Sequence, residues 1–563
     1  MTAALTFEFA TEAEIDADIE ALTQGAARWA AKSLHERAEL MKRTHAAIAA
    51  AADEWTEAAV VAKGTPRGSL EGEEWMSGPY ASLSGFAAAA ETLEQMATGK
   101  SPAAGLKAGK AAGGRTKFRM LPSNLFEYNL FHGFSADLWL TPGVAPELAV
   151  EKAGLGQKRL GENGGVGLVL GAGNISAIGP LDVLYELLAF NRVSVLKLNP
   201  TFGGLTAAYE KAFAPLIEAG VLRIVNGAAE VGQYLTSHPG ICHVHITGSG
   251  LTHDMIVFGS TTDKSERKLD KPISSELGGV SPIIVVPGNW SKADLRFQAE
   301  HVVTQRLHNG GHNCIAGQAL VLSKDWAQKD EFIKVIGEVL ASLAPRDPWY
   351  PGTDKKIALA DASYPEAAKI NGRTLIKVDG STSQDLLTTE YFGPVLGYTE
   401  LPGMGEEFFA NAVDFANERL DGTLGASIIV KPSDRKKMGG RFEGILAELR
   451  YGTIGVNVWS AIGFLVPSLS WGAYPGNPLE AVGSGIGIVH NAHLLEDVER
   501  SVLWGPFRPA HRALTHGEFA LSPKPAWFVT AKTGDQVSKR LTQFAAKPGW
   551  GKLPGIFAHA FKG

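Results

Sequence analysis

Residues 165–174 read GVGLVLGAGN and residues 193–200 read VSVLKLNP, and these two stretches decide the fold class. Each contains a short apolar run that predicts a buried strand, and Leu181–Phe190 between them predicts a helix. Two strands joined by one helix form a βαβ unit, whose strands lie parallel in one sheet. The alternation continues to Ile246, so we predict a doubly wound α/β domain.

A second alternating run begins near Lys271 and continues to Val456, which predicts a second α/β domain. Upstream, residues as far as Thr98 predict helices. Residues 99–114 are rich in glycine and alanine, which is typical of a flexible connector, loop or flap. The aromatic-rich segment 117–150 predicts strands. Beyond these elements the C-terminal part is rich in proline, and residues 527–529 (WFV) predict one more strand.

The composition bounds the class of protein. The chain has 563 residues, of which 45% are hydrophobic and 20% charged, so it can bury a large core. A net charge of −6 argues against a nucleic-acid partner. The acidic first twenty residues do not resemble a signal peptide, and the longest apolar stretch, 166–190, is interrupted by polar residues. We expect a soluble cytoplasmic protein without a membrane partner.

The chain contains two cysteines, Cys242 and Cys314, which excludes a disulfide framework. Cys242 lies in an apolar strand and is predicted to be buried and inert. Cys314 follows a polar loop, HNGGHN, whose backbone N–H groups can stabilise a thiolate, so it is a candidate nucleophile; the alternative is a small buried residue. His312 suggests a Cys/His pair, but a histidine bonded to the backbone is favoured because no third group is evident.

Glu276, in the stretch SSELGGVSP, is a candidate general base. It lies at the end of a predicted strand before two glycines, where a raised pKa is possible; the alternative is a solvated loop glutamate. The turn 171–173 (GAG) follows a strand and opens a helix, as a phosphate-binding turn does. Ser176 breaks the usual G-x-G-x-x-G pattern, so a plain turn remains an alternative to a nucleotide site.

Taken in chain order, the motifs of this sequence resemble those of the aldehyde dehydrogenase superfamily. The resemblance extends from about Arg37 to His490 and is carried by GAGN, VLKLNP, HITGSG, SELGGVSP, NGGHNCIAG, EYFGPVL and GTIGVN. It implies that Cys314 is the nucleophile, Glu276 the general base and Asn174 the amide of the oxyanion hole. It further implies that NAD or NADP contacts Lys197, Gly248, Ser249, Gly278, Glu390 and Phe392, and it implies no metal.

The resemblance also implies an aldehyde-dehydrogenase-like α/β fold with two doubly wound domains and a small bridging β-element. Residues 1–272 would form the cofactor-binding domain, with bridging strands in about 117–150. Residues 273–475 would form the catalytic domain, and 476–563 would return to the cofactor domain and end in an oligomerisation tail. A homodimer or homotetramer is expected. The segment 105–150 and the tail are longer than usual.

The implied reaction is NAD(P)-dependent oxidation of an aldehyde to a carboxylic acid through a cysteine thioester. The alternatives are a coenzyme-A-linked aldehyde dehydrogenase and a non-catalytic relative of the same fold. Glu276 favours the free acid as product. A base that activates water would hydrolyse the thioester before the thiol of coenzyme A could react with it. The pair Asn199-Pro200 is similar to the residues that coenzyme-A-linked members carry at this strand, and it argues against the free acid as product.

Two further departures bear on the ligands. Pro200 stands where NAD-preferring members carry a glutamate that repels a 2′-phosphate, so we expect NADP to be accepted. His253 stands where many members have glycine. The segments predicted to line the substrate pocket are rich in aromatic residues and leucine, which indicates either an apolar aldehyde or ordinary core packing: 126–140, 181–188 and 458–474.

Overall fold

The computed structural model describes residues 8–380 and 385–563 and has a mixed α/β fold, so the predicted fold class is confirmed. Its strands are, in chain order, β1 Lys107–Ala111, β2 Arg115–Leu121, β3 Ser135–Leu140, β4 Val166–Leu170, β5 Val193–Leu198, β6 Leu222–Asn226, β7 Ile241–Gly248, β8 Ile273–Leu277, β9 Ser281–Val285, β10 Gly317–Ser323, β11 Ala368–Ile370, β12 Arg373–Lys377, β13 Val395–Leu401, β14 Gly425–Ile429, β15 Thr453–Val456, β16 Ser470–Trp471, β17 Gly485–Ile486, β18 Val489–His490 and β19 Val498–Trp504.

The helices lie on the faces of the sheets and in an N-terminal group. They are α1 Glu12–Ala30, α2 Leu34–Lys63, α3 Gly72–Trp75, α4 Ala81–Ala97, α5 Leu125–Leu130, α6 Pro146–Lys152, α7 Ile178–Phe190, α8 Thr206–Ala212, α9 Ala214–Glu218, α10 Ala229–Ser237, α11 Gly250–Phe258, α12 Lys292–Leu307, α13 Lys329–Ser342, α14 Thr353–Ser363, α15 Asp385–Thr388, α16 Gly405–Arg419, α17 Pro432–Met438, α18 Gly440–Glu448, α19 Ala510–Thr515, α20 Gly534–Ala546 and α21 Leu553–Ala560.

The smaller sheet has six strands in the order β17-β8-β7-β4-β5-β6, and all of its neighbours are parallel except the β17–β8 pair. Every residue of β5 is buried, as expected for a parallel strand covered by helices on both faces. Because β8 pairs with β7, the chain leaves this sheet after Leu277, beyond the predicted boundary at residues 272–273. Glu276 therefore lies on the smaller sheet.

The larger sheet has eleven strands in the order β1-β2-β3-β19-β15-β14-β9-β10-β13-β12-β11. Its central strands are parallel, and β1 to β3 extend one edge as an antiparallel unit paired with β19. Residues 99–114, predicted as a flexible connector, contain β1, because Lys107–Ala111 pairs with Arg115–Arg119 across a turn at Gly113 and Gly114.

The strand predicted at residues 527–529 is wrong. This segment forms turns, and its aromatic rings are used for packing: Trp527 lies edge-on to Phe134 with ring centroids 6.0 Å apart, and Phe528 stacks on His301 at 5.5 Å. Downstream, α20 packs on α3 and α21 packs on α20. In the described parts of the chain, no helix combines the length and apolar character that a membrane span requires.

The two sheets face each other at a junction. Parallel strands β4, β5, β7 and β8 all end at the same edge of the smaller sheet. From there the chain crosses through residues 278–280 into β9 of the larger sheet. The loops that precede β10 and β13 reach the same junction. Ligand sites of α/β proteins lie at such carboxyl edges of strands.

Candidate active site

The loop that carries Cys314 has a backbone that its sequence dictates. After α12 ends at Leu307, Asn309, Gly310 and Gly311 adopt left-handed conformations with φ of 56°, 68° and 86°. A Cβ atom on Gly311 would lie 2.6 Å from the carbonyl oxygen of Gly393. Only glycine allows that approach, so the loop packs directly against the segment before β13.

Asn309 joins the Cys314 loop to the turn after β4. Its side-chain amide donates to the carbonyl oxygens of Asn174 and His312, each at 3.0 Å. The Nδ2 atom of Asn174 also donates to the His312 carbonyl at 3.0 Å. An amide nitrogen carries two hydrogens, so Asn174 keeps one for a ligand. Asn309 was missed from the sequence, although an Asn before two glycines indicates a left-handed turn.

His312 is bonded to the backbone, as predicted. Its Nδ1 lies 2.9 Å from the Asn309 carbonyl oxygen and its Nε2 lies 2.9 Å from Thr353 Oγ1. The ring is fully buried, and burial lowers the pKa of His312 to about 3. Both ring nitrogens are engaged and the ring is neutral, so His312 does not form a catalytic pair with Cys314.

The thiol of Cys314 is protonated in the free protein at neutral pH. Burial raises the pKa of Cys314 far above its ordinary value, and the nearby carboxyl groups of Glu390 and Glu276 raise it further. The expected stabilisation of a thiolate by loop N–H groups is therefore outweighed, chiefly by burial and further by the charges of the two carboxyl groups. Gly278, two residues after Glu276, lies against the Glu390 carboxylate, and the loop of Cys314 is hydrogen-bonded to Asn174, so these segments meet at the same junction.

Cys242 was predicted to be buried, and this prediction is wrong because the residue is exposed. A register shift between β4 and β7 pairs Val166 with Ile241 and Gly167 with His243, so Cys242 lies between the paired positions. Its Sγ donates to the Gly164 carbonyl oxygen at 3.3 Å. A bulge of this kind turns a side chain out of the strand alternation.

Glu276 is a buried carboxyl group, only 4% exposed, at the end of β8. Its Oε1 atom has no hydrogen-bond partner among the described residues. Burial raises the pKa of Glu276 well above its ordinary value, nearby Asp182 adds to the effect, and a hydrogen bond from the Trp471 side chain opposes it. The predicted raised pKa is thus present in the structure, and Asp182 and Trp471 are neighbours that the sequence did not reveal.

Glu390 occupies the space that Gly278 leaves open. A Cβ atom on Gly278 would lie 2.2 Å from the Glu390 carboxylate. Glu390 Oε1 has no partner among the described residues, and burial raises the pKa of Glu390 to about 7. Phe392 follows with φ of 45°, and its ring packs edge-on against Tyr350 at 4.9 Å. Glu390 and Phe392 thus enter the junction from the larger sheet.

Lys197 lies near the carboxyl end of β5, beside Leu170 of β4. Burial lowers the pKa of Lys197 to about 8, and the charge of Glu230 partly opposes that shift. Next along the chain, Asn199 Oδ1 accepts a hydrogen bond from the Thr201 backbone at 3.1 Å, and Thr201 Oγ1 donates to the Gly173 carbonyl at 2.7 Å. These bonds fix the turn after β4 against the end of β5.

Gly248 ends β7, and Ser249 caps the N-terminus of α11. Ser249 Oγ accepts a hydrogen bond from the Thr252 backbone at 3.2 Å. His253 is fully buried and its Nδ1 lies 3.3 Å from Asp254 Oδ1, so this histidine belongs to the packed side of α11. The first residues of α11 offer backbone N–H groups and the positive end of a helix dipole, which suit an anion.

Residues 165–361 match the model of the aldehyde dehydrogenase family. A chloroplastic aminoaldehyde dehydrogenase of Arabidopsis thaliana is 28% identical over 242 residues, which cover 38% of this chain and 45% of that enzyme. A (Z)-2-((N-methylformamido)methylene)-5-hydroxybutyrolactone dehydrogenase of Acinetobacter baylyi is 26% identical over 260 residues, which cover 38% of this chain and 51% of that enzyme. The chain thus aligns with about half the length of these relatives.

Solved structures resemble most of this chain. An aldehyde dehydrogenase of Brucella melitensis superposes with a TM-score of 0.58 at 19% identity, covering 88% of this chain and 90% of that one. The NADP-dependent glyceraldehyde-3-phosphate dehydrogenase of Bacillus halodurans, solved with NADP, superposes with a TM-score of 0.56 at 20% identity. The match covers 88% of this chain and 91% of that one. The predicted resemblance to the aldehyde dehydrogenase superfamily is confirmed, and the fold is the one that these enzymes share.

Proposed function

We propose that this protein oxidises an aldehyde to a carboxylic acid with NAD or NADP, through a thioester on Cys314. One observation carries the proposal. Asn174 from the smaller sheet is hydrogen-bonded to the loop of Cys314, while the charges of Glu276 and Glu390 act on the Cys314 thiol. A nucleophile, a base and an amide donor thus converge at the junction of the two sheets.

The chemistry follows from these positions. Cys314 Sγ, once deprotonated, attacks the aldehyde carbon, and the developing oxyanion accepts hydrogen bonds from Asn174 Nδ2 and the Cys314 backbone N–H. After oxidation the carbonyl carbon is held as a thioester. Glu276, once ionised, takes a proton from water, the resulting hydroxide attacks the thioester, and the thiolate leaves. Burial of Glu276, together with the nearby charge of Asp182, makes its carboxylate a stronger base than an exposed one.

The residues at the junction fit a dinucleotide. Glu390 presents a buried carboxyl oxygen that has no partner among the described residues, and the lack of a side chain at Gly278 gives this carboxyl group its room. Lys197 lies near the carboxyl end of β5 and is buried, and Ser249 lies at the N-terminus of a nine-residue helix. We propose that Lys197 and Glu390 hold ribose hydroxyls of the cofactor. We further propose that Gly248 and Ser249 face its pyrophosphate and that Phe392 packs against its nicotinamide ring. Bound there, the cofactor supplies the hydride acceptor.

We propose that NADP is accepted as well as NAD. Pro200 carries no charge, whereas a glutamate there would repel a 2′-phosphate. Pro200→Glu is expected to weaken NADP binding more than NAD binding, which cofactor titrations of both proteins measure. If the unchanged protein already prefers NAD more than about a thousandfold (roughly 4 kcal/mol), the proposal is wrong, and Glu230→Gln then tests the carboxylate that acts on Lys197.

We also propose the free acid as product, because Glu276 is present as a base for water. The test is absorbance at the nicotinamide band with a panel of aldehydes, NAD or NADP, and coenzyme A present or absent. We expect turnover without coenzyme A and release of the acid. Turnover that requires coenzyme A would favour the acylating enzyme, and no turnover with any aldehyde would favour a non-catalytic relative.

For the domains, we propose that the smaller sheet is the core of a cofactor domain and the larger sheet the core of a catalytic domain. We propose β1 to β3 with β19 as the bridging element of a homodimer or homotetramer. Support comes from β1, which ends the larger sheet with exposed residues and thus offers a free edge to a second copy. Sedimentation of the purified protein measures the mass of the assembly.

A further inference from the structure

Four charged side chains lie next to the loop of Cys314: Lys63 at the end of α2, Glu73 and Glu74 in α3, and Arg346 in the segment between α13 and α14. Lys63 Nζ lies 2.8 Å from Glu74 Oε2, and both side chains are fully buried. Arg346 Nη1 donates to Glu73 Oε2 at 2.7 Å, and these side chains are nearly buried. We call the four residues the ion cluster, in which two positive and two negative charges balance.

Thr65 joins the two ion pairs into one network. Its Oγ1 donates to Glu74 Oε1 at 3.2 Å and accepts a hydrogen bond from Arg346 Nη2 at 3.3 Å. Taking charges out of water is costly, and apolar residues of similar volume often stabilise a protein at least as well as a buried ion pair does. Stability alone therefore does not account for the ion cluster, which also contacts the loop of Cys314.

That contact is a hydrogen bond from Lys63 Nζ to Asn309 Oδ1 at 3.3 Å. On the other side of the same amide, Asn309 Nδ2 donates to the carbonyl oxygens of Asn174 and His312, each at 3.0 Å. Turning the amide over would point its NH₂ group at the ammonium group and its oxygen at two carbonyl oxygens, which replaces three attractive contacts with repulsive ones. The positive charge of Lys63 thus fixes the orientation of the Asn309 amide.

Trp349 contacts both partners of this bond. Its Nε1 donates to the Asn309 carbonyl oxygen at 3.3 Å, and the Lys63 ammonium group lies 5.2 Å from the centroid of its ring. The second distance is within the ~6 Å range of a cation–π interaction. Three residues earlier, the ion pair of Arg346 with Glu73 ties the same segment to α3. The ammonium group of Lys63 is therefore held from several sides and gives Asn309 a fixed partner.

We propose that Lys63 is a positioning residue for the reaction at Cys314 and that it acts through Asn309. Its ammonium group orients the amide that ties the loop of Cys314 to Asn174, and Glu74 supplies the balancing charge. The nucleophile and the amide donor of the oxyanion are thereby held in one geometry. The inference rests on the proposed function for its kinetic part, while chemical modification of the thiol tests it without any aldehyde.

The kinetic experiment compares Lys63→Met, Asn309→Ala and the variant that combines them. Methionine removes the ammonium group and keeps the length of the side chain. We expect kcat to fall about tenfold or more in Lys63→Met, because a displaced nucleophile loses rate. The combined variant should lose no more than Asn309→Ala alone, since residues that act through one another are not additive. Losses that multiply in the combined variant would overturn the inference.

Two further variants separate positioning from stability. Arg508→Met breaks a buried ion pair with Asp294, whose N–O distances are 2.8 and 2.9 Å, at the end of α12 remote from Cys314. It should lower the melting temperature as Lys63→Met does and keep kcat within about twofold. Lys63→Met with Glu74→Gln removes both charges, so it should regain melting temperature but not turnover, and it replaces Lys63→Met if that variant does not fold. Equal loss of kcat in Arg508→Met, or recovery of turnover together with melting temperature, would overturn the inference.

Alkylation by iodoacetamide tests the position of the loop directly, with Cys242 as the internal control. Cys314 should react about threefold faster or more in Lys63→Met, because a released loop exposes its buried thiol. Asn309→Ala and the combined variant should show the same increase, and Cys242 should react equally in all proteins. This result supports the inference even when no aldehyde is oxidised and the proposed function fails. An unchanged rate at Cys314 in Lys63→Met overturns the inference and leaves the proposed function intact.

Discussion

The loop of Cys314 and the bulge of Cys242 hold the same side chain in opposite surroundings. Cys242 is exposed and donates a hydrogen bond to a backbone carbonyl. Cys314 lies where two sheets meet, beside Glu276, Glu390 and the amide of Asn174. The comparison teaches that exposure does not identify a catalytic thiol. The groups that converge on it do.

The largest expected effect comes from removing the two thiols separately. Cys314→Ala should reduce turnover by at least ~10⁴-fold, because it removes the atom on which the thioester is proposed to form. Cys242→Ala should leave turnover unchanged and alter the free energy of unfolding by about 1 kcal/mol or less. Initial rates and denaturant melts of both variants measure this. Equal activity of the two variants would remove the distinction between the cysteines.

The next effect concerns the amide donor. Asn174→Ala should reduce kcat by ~10²–10³-fold, which is the usual consequence of losing one oxyanion donor. Asn309→Ala should act more weakly and only by displacing the loop, since Asn309 Nδ2 already donates to the carbonyl oxygens of both Asn174 and His312. Steady-state kinetics with the best aldehyde of the panel measures both. A larger loss in Asn309→Ala than in Asn174→Ala would contradict these assignments.

The smallest effect concerns charge at the thiol. Glu390, with a pKa raised to about 7, is ionised above neutral pH and there raises the pKa of Cys314. Glu390→Gln should therefore speed alkylation of Cys314 by iodoacetamide several-fold at about pH 9. The difference should vanish below about pH 6, where Glu390 is protonated in the unchanged protein.

Alkylation of Cys242 in the same sample is the internal control, followed by mass spectrometry of the two cysteine peptides. Its rate should be the same in both proteins, because the charged side chains that act on the Cys242 thiol are Arg192 and Glu186. An unchanged rate at Cys314 would mean that Glu390 does not face the sulfur in solution.

Much of this arrangement could be predicted from the sequence. The runs at β4 and β5 and the glycines after Leu307 specify strands and a left-handed turn through local rules. The motifs around Glu276, Cys314 and Glu390 identified residues that the fold does bring together. Local rules carry no information about which strand each segment pairs with, so the sheet that takes β8 was not foreseen.

The exposure of Cys242 and the packing of the tail could not be predicted for a similar reason. Cys242 reads as part of an apolar strand, and only the register shift against β4 turns it outward. Residues 527–529 have the composition of a strand, but Phe134 and His301 supply aromatic partners far away in the chain. Asp182 and Trp471 reach Glu276 in the same long-range way.

The most direct test of a thioester on Cys314 is Glu276→Gln, which removes the base and keeps the shape of the side chain. Mixed with aldehyde and cofactor, this variant should give a burst of about one reduced cofactor per active site, followed by turnover slowed ~10²-fold or more. Mass spectrometry should find the acyl group on the Cys314 peptide. Steady turnover at the unchanged rate, or a burst without acylated Cys314, would contradict the account.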